Sequence, residues 1–74
     1  MTLRFDPDKI RLARKIKGIE TQEEFAALVG VPRQTVSLWE TGEKKPSTDS
    51  LEKIVNTLNA KDISVSFFFT EQEE

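Results

Sequence analysis

Residues 21–42 read TQEEFAALVGVPRQTVSLWETG, and this stretch decides the fold. Thr21 followed by Glu24 three residues later is a capping box, which predicts a helix start. Phe25, Ala26, Leu28 and Val29 are the apolar residues of that helix. Gly30 can take the left-handed conformation that a sharp turn needs. Val31-Pro32 then restarts a helix, because proline is tolerated only at or near a first helical position. This helix runs over about 32–41, with Val36 and Trp39 on its inner face. Two short helices across a tight turn are a helix-turn-helix. Ala26 falls where the two must approach closely, and Phe25, Val29, Val31, Val36 and Trp39 form the small core that fixes their angle. Gln34, Ser37, Leu38 and Thr41 project roughly opposite, with Arg33 to one side. A helix face presented in this way can enter a DNA major groove. Glu40 lies only about 40° from Val36 by helical spacing. It is expected to be partly buried, which is costly for a carboxylate without a partner.

The flanks hold this unit in place. Phe5-Asp6-Pro7-Asp8 is a helix start, with Asp6 as cap, Pro7 at the first position and Asp8 at the positive end of the dipole. Phe5 and Ile10 stand at the positions of a hydrophobic staple. The helix is expected to reach about Lys17 and stop at Gly18, with Leu12, Ile16, Ala13 and Ile10 on its apolar arc. Arg11, Arg14 and Lys15 fall on the other side, Arg14 at the edge beside Ile10. After Gly42 and the loop Glu43-Lys44-Lys45-Pro46, Ser47 or Thr48 caps a fourth helix. Leu51, Ile54, Val55 and Leu58 form its buried stripe. Ser64 is a candidate cap for a short fifth helix carrying Val65, Phe67, Phe68 and Phe69; the alternation over Ile63–Phe67 also fits a strand. Thr70–Glu74 reads as a frayed tail. One domain over 1–70 with an acidic tail at 71–74 is the expected organisation, without repeats or linkers.

Composition narrows the function. The 74 residues suffice for a single small core. They include no Cys and no His, so thiolate metal sites, disulfides and the commonest general base are missing. No catalytic residue, metal or cofactor is therefore assigned. No apolar run approaches the roughly 20 residues of a membrane span. MTLRFDPDK lacks the apolar stretch of a signal peptide, so a soluble cytoplasmic protein is expected. The net charge is −2, with Glu71, Glu73 and Glu74 crowded at the end. A basic global field is unavailable, and affinity for DNA must come from where individual charges lie.

The chain resembles the phage-repressor-like helix-turn-helix domains, the Cro/C1-type or XRE family. The likeness rests on Arg14 and Gly18, Thr21-Gln22, Ala26, Gly30-Val31, Val36-Ser37, Trp39-Glu40, Gly42, Pro46, Leu51, Ile54 and Leu58, and covers about residues 8–69. It implies an all-α, lambda-repressor-like bundle of about five short helices. It also implies binding to double-stranded operator DNA, usually as a homodimer, in a prokaryotic or phage-type setting. By resemblance, Gln22 holds a backbone phosphate. Arg33, Gln34, Ser37 and Leu38 face base edges or flanking phosphates. Thr41, Lys44 and Lys45 follow the phosphate backbone, and Arg14 pairs with Glu40. The family usually spaces its glycine and Thr-Gln one residue closer than Gly18 and Thr21-Gln22, so Ile19-Glu20 makes a slightly longer turn. The link at Asn59–Asp62 is also extended.

Each assignment competes with a plainer one. Gln34 suits adenine, whose N6 and N7 match a carboxamide, but it is also an ordinary exposed residue. Arg33 fits a base or a phosphate. Leu38 fits a thymine methyl or an indifferent surface. Lys44 and Lys45 are surface lysines or phosphate neighbours. Trp39 is core rather than a stacking platform. The basic side of the first helix reads as solvated. Three consecutive phenylalanines cannot all enter one small core, which makes Phe67, Phe68 and Phe69 candidates for a dimer interface. The best single reading is a sequence-specific DNA-binding regulator, a repressor in the simplest mechanism, with no enzymatic activity and no membrane partner. One alternative is the antitoxin of a toxin–antitoxin pair, with the Phe-rich end or acidic tail docking the toxin. Another is a protein-interaction module with the same fold, favoured by the net acidity. A polymerase contact through Glu23 and Glu24 is less favoured than their role as capping acids.

Overall fold

Three of the four α-helices begin at a side-chain cap, and the third starts behind Pro32 without one. The computed structural model describes residues 2–59 and 61–72. Strand β1 (Thr2–Phe5) leads into α1 (Pro7–Ile16), α2 (Gln22–Val29), α3 (Arg33–Thr41) and α4 (Thr48–Leu58). A 3-10 turn (Val65–Phe68) and strand β2 (Phe69–Gln72) follow. The Asp6 side chain accepts the Asp8 N–H at the start of α1, 3.1 Å. Thr21 Oγ1 accepts the Glu24 N–H at the start of α2, 3.1 Å. Ser47, not Thr48, caps α4 by accepting the Ser50 N–H at 3.1 Å. Each satisfies a backbone donor that a helix start leaves unpaired.

Two glycines set the angles of α3. Gly30 stands at φ 89°, and both its own N–H and that of Val31 close on the Ala26 carbonyl. A side chain would be strained there. Gly42 ends α3 at φ 83°, and a Cβ on it would lie 3.0 Å from Pro7 Cγ. The N-terminus of α1 therefore rests directly on the end of α3. The core joins Phe25, Ala26 and Val29 of α2 to Val36 and Trp39 of α3. Ile10 and Ala13 of α1, and Leu51, Ile54 and Leu58 of α4, complete it together with Ile19, Ile63, Phe68 and Phe5. Phe5 and Ile10 are both buried, as the staple positions require.

The fold is mostly helical, and the expected all-α bundle of five helices needs correction. The Phe-rich segment forms one 3-10 turn instead of a fifth α-helix or a strand over 63–67. The chain then extends, and β2 pairs antiparallel with β1 through Thr2↔Gln72, Leu3↔Glu71, Arg4↔Thr70 and Phe5↔Phe69. Residues 70–72 are thus a paired strand and not a frayed tail; Glu73 and Glu74 lie outside the described residues. The ribbon is closed at its inner end by the edge-to-face rings of Phe5 and Phe69, 6.3 Å apart, and by the Asp6 N–H donating to the Phe68 carbonyl at 2.8 Å.

The apolar arc of α1 also needs correction. Leu12 is 44% and Ile16 55% exposed. The buried face is Ile10, Ala13 and Arg14, so the helix is rotated to carry Arg14 inward. Leu28 of α2, at 55%, likewise faces solvent. No helix among the described residues is long and apolar enough to cross a membrane.

Candidate nucleic-acid interface

The outer face of α3 carries Arg33, Gln34, Ser37 and Leu38. Arg33 and Gln34, in its first turn, are exposed. Ser37 and Leu38 are half-buried, so Leu38 is less prominent than a solvated helix face predicts. The opposite side, Val36 and Trp39, is sealed in the core. Trp39, at 3% exposure, has no face free for stacking on a base.

Beyond α3 the loop folds back on the helix it leaves. The Lys44 N–H donates to the Leu38 carbonyl at 3.2 Å, and Pro46 is buried. Lys44 and Lys45 are left exposed between these two anchors. The Thr41 hydroxyl donates to the same Leu38 carbonyl at 3.2 Å. With that proton committed, Thr41 can only accept, and a phosphate contact would require the hydroxyl to leave the helix.

Gln22 opens α2 and is tied to α3 through Glu40. The Glu40 side chain is 1% exposed, accepts hydrogen bonds from Arg14 and Gln22 and has a third, cationic neighbour. Arg14 Nε donates to Oε2 at 3.0 Å and Arg14 Nη2 to Oε1 at 3.4 Å. The Gln22 amide Nε2 donates to Oε1 at 3.0 Å. A carboxylate can only accept, so this contact fixes which end of the Gln22 carboxamide points inward. One Nε2–H and the carbonyl oxygen remain for another partner. The third group is Arg11, whose Nε lies 3.5 Å from Oε1 with half its side chain exposed. Helical spacing alone puts Arg11 on the solvated side of α1. The signal that points to it is its spacing: Arg11 and Arg14, three apart on a helix, share a face and can reach one carboxylate.

Arg14 also accounts for the longer turn between α1 and α2. Its Nη1 donates to the carbonyls of Ile19 at 3.2 Å and Glu20 at 2.7 Å. Ile19 itself is buried in the core. The extra length is thus anchored at both ends, and no buried side-chain polar atom among the described residues lacks a partner.

These contacts sort the residues along α3. Arg33 and Gln34 lie at its N-terminal end. Gln22, joined at Glu40, and the Lys44–Lys45 loop, joined at Leu38, both lie toward its C-terminal half. The phenylalanines are not equivalent. Phe68 is 0% exposed and part of the core, which removes it as an interface candidate. Phe67 packs edge-on against Phe68 and lies beneath the Lys9 ammonium, 5.0 Å from its ring centre. Phe69 is half-buried against Phe5.

Comparison with known proteins gives a consistent picture. A family model described as helix-turn-helix matches residues 10–65. Two proteins of Archaeoglobus fulgidus, each described as an uncharacterized HTH-type transcriptional regulator, are similar to this chain. One is 45% identical over 53 residues, covering 72% of this chain and 73% of that protein. The other is 42% identical over 65 residues, covering 88% and 90%.

Proposed function

Because the chain belongs to the Cro/C1-type (XRE) helix-turn-helix family of DNA-binding transcriptional regulators, we propose that it recognises a specific operator by laying α3 in the major groove. Gln34 and Arg33 read base edges from the first turn of α3, and Ser37 and Leu38 pack beside them. Gln22 holds a backbone phosphate with the amide hydrogen that Glu40 leaves free, and Lys44 and Lys45 neutralise the neighbouring backbone. The observation that carries this reading is the division of α3. Its inner side is closed in the core while Arg33 and Gln34 stand exposed in one turn. A carboxamide and a guanidinium are the groups that bond adenine and guanine in pairs.

The protein acts as a homodimer on a palindromic site, with two copies of α3 about 34 Å apart, one turn of B-DNA. Repression by occluding polymerase is the simplest outcome of occupying such an operator. Phe67 and Phe69 remain candidates for the contact between copies. The antitoxin alternative is weakened at its Phe-rich end, since Phe68 is core and its neighbours are half covered. Selection of bound duplexes from a random pool tests the proposal. A symmetric consensus with half-sites one helical turn apart is expected. Recovery of unselected sequence, with affinity insensitive to salt, would favour the interaction module instead.

A further inference from the structure

We propose that Arg11 is a phosphate-gripping residue. Its guanidinium and the Gln22 carboxamide, both seated on one oxygen of Glu40, close on a single DNA backbone phosphate. This deepens the DNA-binding reading and rests on it.

Two guanidinium groups, Arg11 and Arg14, surround one carboxylate, so the cluster keeps one positive charge in excess. Arg14 cannot present it. Its side chain is 8% exposed, and its Nε, Nη1 and Nη2 are all engaged, with Glu40 and with the carbonyls of Ile19 and Glu20. The excess charge therefore reaches solvent at Arg11, half exposed. Its closest approach to Glu40 is through Nε, and among the described residues its two terminal amino groups make no hydrogen bond, so they can act as a fork. That fork matches phosphate oxygens in pairs. Asp8 lines the same shallow hollow on α1 but makes no ion pair with Arg11 among the described residues.

Position supplies the rest. Arg11 Nε and Gln22 Nε2 sit against the same Glu40 oxygen, at 3.5 and 3.0 Å, so they are no more than two such contacts apart. A phosphate held by the remaining Gln22 N–H lies within reach of the Arg11 fork. An ion pair as exposed as that of Arg11 adds little to stability. Its effect is orientation: Glu40 holds a long, otherwise mobile cation beside the glutamine. In a chain of net charge −2, a fixed local cation counts for more than the overall field.

Fluorescence anisotropy over a salt series, on cognate and scrambled duplexes, tests this. Arg11→Gln is expected to weaken both duplexes alike, roughly threefold to tenfold, and to lower the slope of log K against log salt by about one. Arg11→Lys is expected to recover the slope, because the charge returns, but only part of the affinity, because the fork does not. Arg11→Gln combined with Gln22→Ala is expected to lose less than the product of the single losses, since both serve one phosphate. Lys53→Gln on α4 removes the same charge and serves as control. An unchanged slope for Arg11→Gln, or a loss no larger than that of Lys53→Gln, overturns the proposal while leaving DNA binding intact. No binding by the wild-type protein at low salt overturns the DNA-binding reading, and the clamp with it.

Discussion

Two regions close this small bundle, and they do so with opposite chemistry. At one end, Arg14, Glu40 and Gln22 bind α1, α2 and α3 through a buried polar cluster. At the other, Phe5, Phe67, Phe68 and Phe69 close the chain ends with rings and a two-stranded ribbon. Aromatic closure relies on burial and edge-to-face packing, and asks little beyond shape. A buried ion pair is a poor route to stability, because desolvation offsets most of the attraction. Its presence beside α3 makes sense if orientation is the purpose. Glu40 fixes the Gln22 carboxamide and holds Arg11, whereas no residue of the aromatic end needs an aimed polar group.

The comparison breaks most sharply at Glu40. Glu40→Ala leaves Arg14 buried without its partner and is expected to cost about 3–5 kcal/mol, seen as a lower midpoint in urea unfolding. Phe68→Ala is expected to cost a similar amount, about 3–5 kcal/mol, by opening a cavity. The two then separate on DNA. Under conditions where both are folded, Phe68→Ala keeps the wild-type affinity for both duplexes, and Glu40→Ala weakens binding to both alike. The finest test replaces the pair together. Arg14→Met with Glu40→Leu is expected to leave stability within about 1–2 kcal/mol of wild type, or to raise it. DNA affinity nevertheless falls on all sequences, because Gln22 and Arg11 lose their seat. Unaltered affinity in that stable double variant would make the cluster a packing device only.

The same contrast explains what the sequence reveals and what it hides. The α2–turn–α3 unit is legible because its signals are local: Thr21 three residues from Glu24, Gly30 at the turn, and Val36 and Trp39 one turn apart. The burial of Glu40 follows from helical spacing alone. The ribbon is not legible. Thr2–Phe5 and Phe69–Gln72 are each four residues long and pair across nearly the whole chain, so neither carries a periodic pattern of its own. The rotation of α1 escapes for a related reason. Leu12 and Ile16 look like core by composition, but the requirement that Arg14 reach Glu40 turns the helix away from them. Arg11 is hidden because its partner is 29 positions further on and on another helix. The bond from the Thr41 hydroxyl to the Leu38 carbonyl is likewise a detail that only the structure supplies.

Gln34 carries the central claim, that the exposed first turn of α3 reads sequence. The most direct measurement is the affinity of wild type and Gln34→Ala for the selected operator and for a scrambled duplex at one salt concentration. The account predicts a loss of about 1–3 kcal/mol on the operator, little change on the scrambled duplex, and relaxed preference at one base position of each half-site. Equal losses on both duplexes would contradict it and reduce Gln34 to a backbone contact.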